Sequence, residues 1–139
     1  MPSERFVFDT NVLVSALLFA ESTSAQAFFT ALRRGTILTS LAALHELSDV
    51  LHRKKFDPYL TIEEREVFLV QYIQTAAIID ITETIQACRD PQDDKFLEIA
   101  ANGSATYIIS DDPDLLIRLP FRDISIVSPA TFLAAATKD

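Results

Sequence analysis

Two hydrophobic periods alternate along this chain. Short apolar runs, of the kind a strand buried on both faces requires, fall at residues 5–8, 36–39, 76–81, 105–109 and 124–127. Between them the apolar positions return at helical spacing. Leu41, Leu44, Leu47 and Leu51 give one apolar face to a helix that Ser40 can cap. Asn11 is placed to cap a helix through Ala20, and residues 21–24 supply a break and a new cap for a helix over 25–34. That helix meets Gly35, a residue suited to a left-handed cap. Thr61 and Glu64 form a capping-box pair for a helix to about residue 74. Residues 89–94 form a turn into a helix over 95–102, closed by Gly103. A short helix is predicted over 113–118, and Pro129 opens a last one through Ala136. Strand and helix thus alternate throughout, which predicts a layered α/β domain with parallel strands.

Composition narrows this reading. The chain has 139 residues, room for one domain over 1–139, with no internal repeat or low-complexity tract to divide it. The longest apolar stretch, residues 12–20, falls far short of a membrane span, and no basic segment precedes an apolar core at the start. A lone cysteine, Cys88, has no partner for an internal disulfide, which suits a reducing cytoplasm. The net charge of −8 argues against a simple electrostatic nucleic-acid binder. Positive charge gathers locally at Arg33-Arg34 and Arg53-Lys54-Lys55, each at a predicted helix end.

The negative charge is placed more tellingly. Asp9, Glu46, the set Asp90/Asp93/Asp94 and the set Asp111/Asp112/Asp114 all lie where predicted strands give way to helices. Each acid by itself reads as a helix cap or a solvated side chain. Their coincidence at one type of junction points elsewhere, because the carboxyl ends of parallel strands share the sheet edge where ligands bind. Carboxylates crowded there repel one another unless a cation neutralises them. Magnesium or manganese, which take oxygen ligands and assist phosphodiester cleavage, fit such a cleft.

The same residues carry a family resemblance. Phe8-Asp9-Thr10-Asn11-Val12-Leu13, Glu46-Leu47 with Val50-Leu51, Asp90-Pro91-Gln92-Asp93-Asp94-Lys95-Phe96-Leu97 and Ile109-Ser110-Asp111-Asp112-Pro113-Asp114-Leu115-Leu116 resemble the PIN domain family. Within it the chain is most similar to the toxin branch related to VapC-type toxins. The resemblance implies a three-layer α/β/α sandwich around a central five-stranded parallel sheet. It also implies a Mg2+- or Mn2+-dependent endoribonuclease, a small antitoxin partner and a homodimer. Carried over by position, the catalytic and metal-holding set falls on Asp9, Glu46, Asp94 and Asp112. Asp94 is preferred to Asp93 because Leu97 and Ala101 then fall in the expected helical phase. Asn11, Ser110, Asp93 and Asp111 stand as supporting residues, with Asp111 a departure where this branch often has glycine.

Two other classes remain open. A phosphoryl-transfer protein with an aspartyl phosphate is disfavoured because Asn11 stands two positions after Asp9. Asp80 has no lysine after the fifth strand to match a receiver domain. A catalytically silent partner-binding module would normally have lost some of its acids, and here all are kept.

Overall fold

The computed structural model describes residues 4–88, 90–117 and 120–136. Five strands, β1 (Glu4–Phe8), β2 (Gly35–Thr39), β3 (Ala77–Ile78), β4 (Tyr107–Ile109) and β5 (Ser125–Val127), form one sheet in the order β3-β2-β1-β4-β5. Every pairing is parallel. The helices are α1 (Thr10–Leu18), α2 (Thr23–Arg34), α3 (Leu41–Leu51), α4 (Ile62–Thr75), α5 (Asp94–Gly103), α6 (Pro113–Leu116) and α7 (Pro129–Ala136).

The period-two alternation of the strands divides the core in two. Phe6, Phe8, Ile37 and Ile109 face one side, where they pack with Leu13, Phe28, Leu51, Tyr72 and Phe132 from the helices. Val7, Leu38, Ile108 and Ile126 face the other, against Phe96, Leu97, Ile99 and Leu115. Both faces of the central strands are therefore dry, as the solid apolar runs require. The result is the expected three-layer α/β/α sandwich around a five-stranded parallel sheet.

Several local expectations are corrected. Asp9, not Asn11, caps α1, accepting the Val12 amide at 2.9 Å. Gly35 is not a left-handed cap: its φ of −179° is extended, and it opens β2 opposite Glu4. A Cβ at Gly35 would come within 1.9 Å of the Glu4 carbonyl oxygen, so close strand approach is what demands glycine. Gly103 lies inside α5, and Ser104 takes the left-handed cap position with φ 55°.

The third strand is two residues long rather than spanning 76–81. The chain beyond it is bound instead by one stripe of α5. Asn102 Oδ1 accepts the amides of Thr82 and Glu83, Glu98 Oε2 accepts Ile85, and Asp94 Oδ1 accepts Ala87 and Cys88. Side chains thus satisfy five backbone amides of residues 82–88 in place of a strand partner. Arg89 and Arg118, at the start of the predicted turn and the end of the predicted helix, lie outside the described residues.

Arg65, which the sequence did not single out, is only 1% exposed. Its guanidinium donates to the carbonyls of Leu51 and Leu60 and to Asp57 Oδ1, locking the crossing from α3 to α4.

Candidate functional site

The chain leaves β1 towards β2 on one side and meets β4 on the other, so the sheet has its topological switch point between β1 and β4. Asp9 follows β1 there, and Ser110 to Asp112 follow β4. Glu46 reaches the same edge from the second turn of α3, and Asp93 from the 3-10 turn Pro91–Asp93 that precedes α5. Asp9, Glu46, Asp93 and Asp112 line one cleft, together with Asn11 and Arg53.

Hydrogen bonds fix the floor of this cleft. Asp9 Oδ1 accepts the Val12 amide, and Oδ2 accepts the hydroxyl of the fully buried Ser110. Ser110 Oγ in turn accepts the Asp112 amide at 2.9 Å. Asp112 Oδ1 accepts the Asp114 amide at 2.9 Å, capping α6. Glu46 is held by the Thr10 hydroxyl at one oxygen and by Lys95 Nζ, at 2.9 Å, on the other.

The charges are held at a cost. Burial pushes the Asp9 carboxyl up to about 6; the Ser110 and Val12 bonds oppose this, while the charges of Asp112 and Asp111 add to it. Desolvation pushes Asp93 up to about 7, reinforced by a hydrogen bond shared with Asp112 and by the charges of Asp112 and Asp90, against the pull of Lys95. Oxygens of Asp93, Asp112 and Asp114 all lie within 4.8 Å of one another.

A family model for the PIN domain matches residues 5–114. This chain belongs to the PIN domain family. An uncharacterised protein of Methanocaldococcus jannaschii is 29% identical over 114 residues, 81% of this chain and 73% of that protein. A crystal structure of VapBC2 from Rickettsia felis, bound to a DNA fragment from its promoter, superposes with TM-score 0.60 at 14% identity, over 88% of this chain and 96% of that one. PAE2754 from Pyrobaculum aerophilum superposes with TM-score 0.62 at 11% identity, over 97% of this chain and 90% of that one. At those identities the two structures speak for the fold.

In this PIN domain the third acid of the cleft is Asp93, not Asp94. Asp94 is buried, and one of its oxygens is committed to the Ala87 and Cys88 amides. Asp93 occupies the cap position of α5 but makes no cap bond there, and it turns into the cleft instead. Asp111 is exposed and does not line the cleft, although its charge is felt at Asp9. Asn11 does line it, and Ser110 lies beneath it as the bridge between Asp9 and Asp112.

The sequence alone assigns no particular role to Asp114 or Lys95. Asp114 joins Asp93 and Asp112, and the Asp-Pro-Asp spacing that opens α6 was its signal. Of the basic residues, Arg53 lines the cleft. Arg34 pairs with Glu4 at 2.7 Å, at the start of β1 and therefore at the opposite edge of the sheet.

The donors suit a hard cation. Asp9, Glu46, Asp93 and Asp112 offer carboxylate oxygens, and among the described residues no histidine or cysteine lines the cleft. Such a set matches magnesium or manganese rather than a softer metal.

Proposed function

We propose that this PIN domain is a single nuclease domain that hydrolyses RNA with Mg2+ or Mn2+, and that it is the toxin of a toxin–antitoxin pair. The observation that carries the reading is the meeting of Asp9, Glu46, Asp93 and Asp112, from four separate stretches of chain, at the switch point of the sheet. Burial, with the charges of neighbouring acids, raises Asp9 to about 6 and Asp93 to about 7, and shifts of this kind gather at functional sites. Membership of the PIN family supports the nuclease reading.

Asp93, Asp112 and Asp114, whose oxygens lie within 4.8 Å of one another, would hold the ion, with Asp9 and Glu46 completing the set from the same cleft. Bound there, a divalent ion lowers the pKa of water and offsets charge that develops on a phosphodiester. The chain's own residues do the rest. Ser110 and the Val12 amide fix Asp9. Thr10 and Lys95 fix Glu46. Arg53 stands at the cleft as a contact for the substrate backbone.

The choice of RNA, a short antitoxin, a homodimer and a cytoplasmic setting rest on the toxin-branch resemblance. The likeness to VapBC2 supports the antitoxin, and no helix among the described residues is long and apolar enough to cross a membrane. Cleavage of a fluorescent RNA in Mn2+, in EDTA and by Asp9→Asn and Asp112→Asn tests the proposal. Cutting should require the ion and fall at least a hundredfold in each variant, on the order of 3 kcal/mol of lost transition-state stabilisation. Cutting that survives both EDTA and the substitutions would sink it.

A further inference from the structure

Both oxygens of Glu46 are engaged before any ion is considered. Lys95 Nζ donates to Oε1 at 2.9 Å, and the Thr10 hydroxyl donates to Oε2. The ammonium also donates to the Gln92 carbonyl and lies 5.3 Å from the centre of the Phe96 ring. Its side chain is only 13% exposed, unlike the freely solvated lysines whose ion pairs contribute little. Gln92 belongs to the turn that carries Asp93, so the lysine ties the Asp93 turn to the Glu46 helix across the cleft.

We propose that Lys95 is a resident counter-ion, a positioning residue that holds Glu46 at the cleft and competes with the divalent ion for Glu46 Oε1. The inference rests on the metal-dependent reading above. An ammonium beside the ligands repels an incoming dication, and freeing Glu46 breaks a partly buried pair. Lys95 therefore tempers the affinity of the site while preventing Glu46 from being repelled by Asp9, Asp93 and Asp112 when no ion is bound. If holding Glu46 outweighed this competition, loss of Lys95 would loosen Glu46 and weaken the site instead.

Calorimetric titration of Mn2+ without RNA separates these roles. Lys95→Met should bind Mn2+ roughly tenfold more tightly than the wild type. Lys95→Arg keeps the charge and should stay within about twofold of the wild type. In a Glu46→Gln background the gain from Lys95→Met should shrink to about twofold, because the coupling runs through Glu46. Melting curves establish that each variant is folded, and Lys95→Gln serves as a second neutral variant. Equal or weaker binding by the neutral variants overturns the proposal, as does the same tenfold gain in both backgrounds. A wild type that binds no Mn2+ defeats the metal-dependent reading and this inference together. A wild type that binds, with neutral variants no tighter, defeats this inference alone.

Discussion

Replacing Asp9 by asparagine removes one charge from a carboxyl that is 5% exposed while keeping the shape that caps α1. The folded protein raises this carboxyl from 3.8 to about 6, which corresponds to about 3 kcal/mol against the ionised form. The native state therefore binds more protons than the unfolded chain between those values. The Asp9 contribution to stability falls as pH rises through that window and is flat above it. Asparagine escapes the penalty, and its carbonyl can still accept the Val12 amide. It loses the charge-assisted bond from Ser110, a cost of about 1 kcal/mol or more. The net expectation at pH 8 in EDTA is a variant about 1–2 kcal/mol more stable than the wild type, or roughly 3–6 °C in Tm for a domain of this size. The advantage should be nearly gone at pH 4, where the folded carboxyl is protonated and the unfolded one is only about half ionised. In Mn2+ the order should reverse, because ligand binding raises wild-type stability and the variant has lost a ligand. Thermal melts at pH 4, 6 and 8, with and without Mn2+, read all of this. A variant that melts below the wild type in EDTA at pH 8, or an offset that ignores pH, refutes the reasoning.

The neighbouring acids of α5 should separate cleanly. Asp93→Ala should lose Mn2+ affinity in calorimetry with little change in stability. Asp94→Ala should leave the Ala87 and Cys88 amides without their acceptor and cost about 2–3 kcal/mol in urea unfolding. Arg65→Met should cost about 3 kcal/mol or more by the same measurement, since two carbonyls and Asp57 lose their donor. Neutralising Arg53 should flatten the salt dependence of RNA binding in Ca2+ by about 0.7 in log–log slope. Neutralising Arg33 and Arg34, at the far edge of the sheet, should leave that slope unchanged.

Strands with both faces buried announce themselves as solid apolar runs, which is why the sheet and its layers were legible. Caps were legible too where side-chain chemistry is local, as at Ser40 and in the Thr61–Glu64 box. What the sequence hid was long-range bonding. Helical phase points to Asp94 as the ligand because Leu97 and Ala101 then fall in register, but Asp94 is buried against residues 82–88 and it is Asp93 that lines the cleft. Asp94, Glu98 and Asn102, spaced by four, already spelled out a stripe of acceptors, and a stripe of that kind asks for backbone donors beside it. Gly35 misled for a similar reason. Its place after a helix suggested a cap, whereas its constraint comes from Glu4, thirty-one positions earlier.

Whether an acid at a strand-to-helix junction serves as a cap or as a functional group is a false choice in this fold. Asp9 gives Oδ1 to the Val12 amide and Oδ2 to Ser110 on the floor of the cleft. Asp112 gives Oδ1 to the Asp114 amide and also shares a hydrogen bond with Asp93. Each carboxylate is thus oriented by the helix it starts, and that anchoring is what makes the cleft rigid enough to gather several acids. Asp94, whose Oδ1 takes two amides of one loop, is anchored away from the cleft. Asp93 has no cap bond to orient it, and desolvation together with Asp112 and Asp90 raises its proton affinity. Among the cleft acids with raised proton affinity, Asp93 is therefore the one most dependent on a cation for its position. It should be the first to move when the ion is chelated, while Asp9 stays in register with β1.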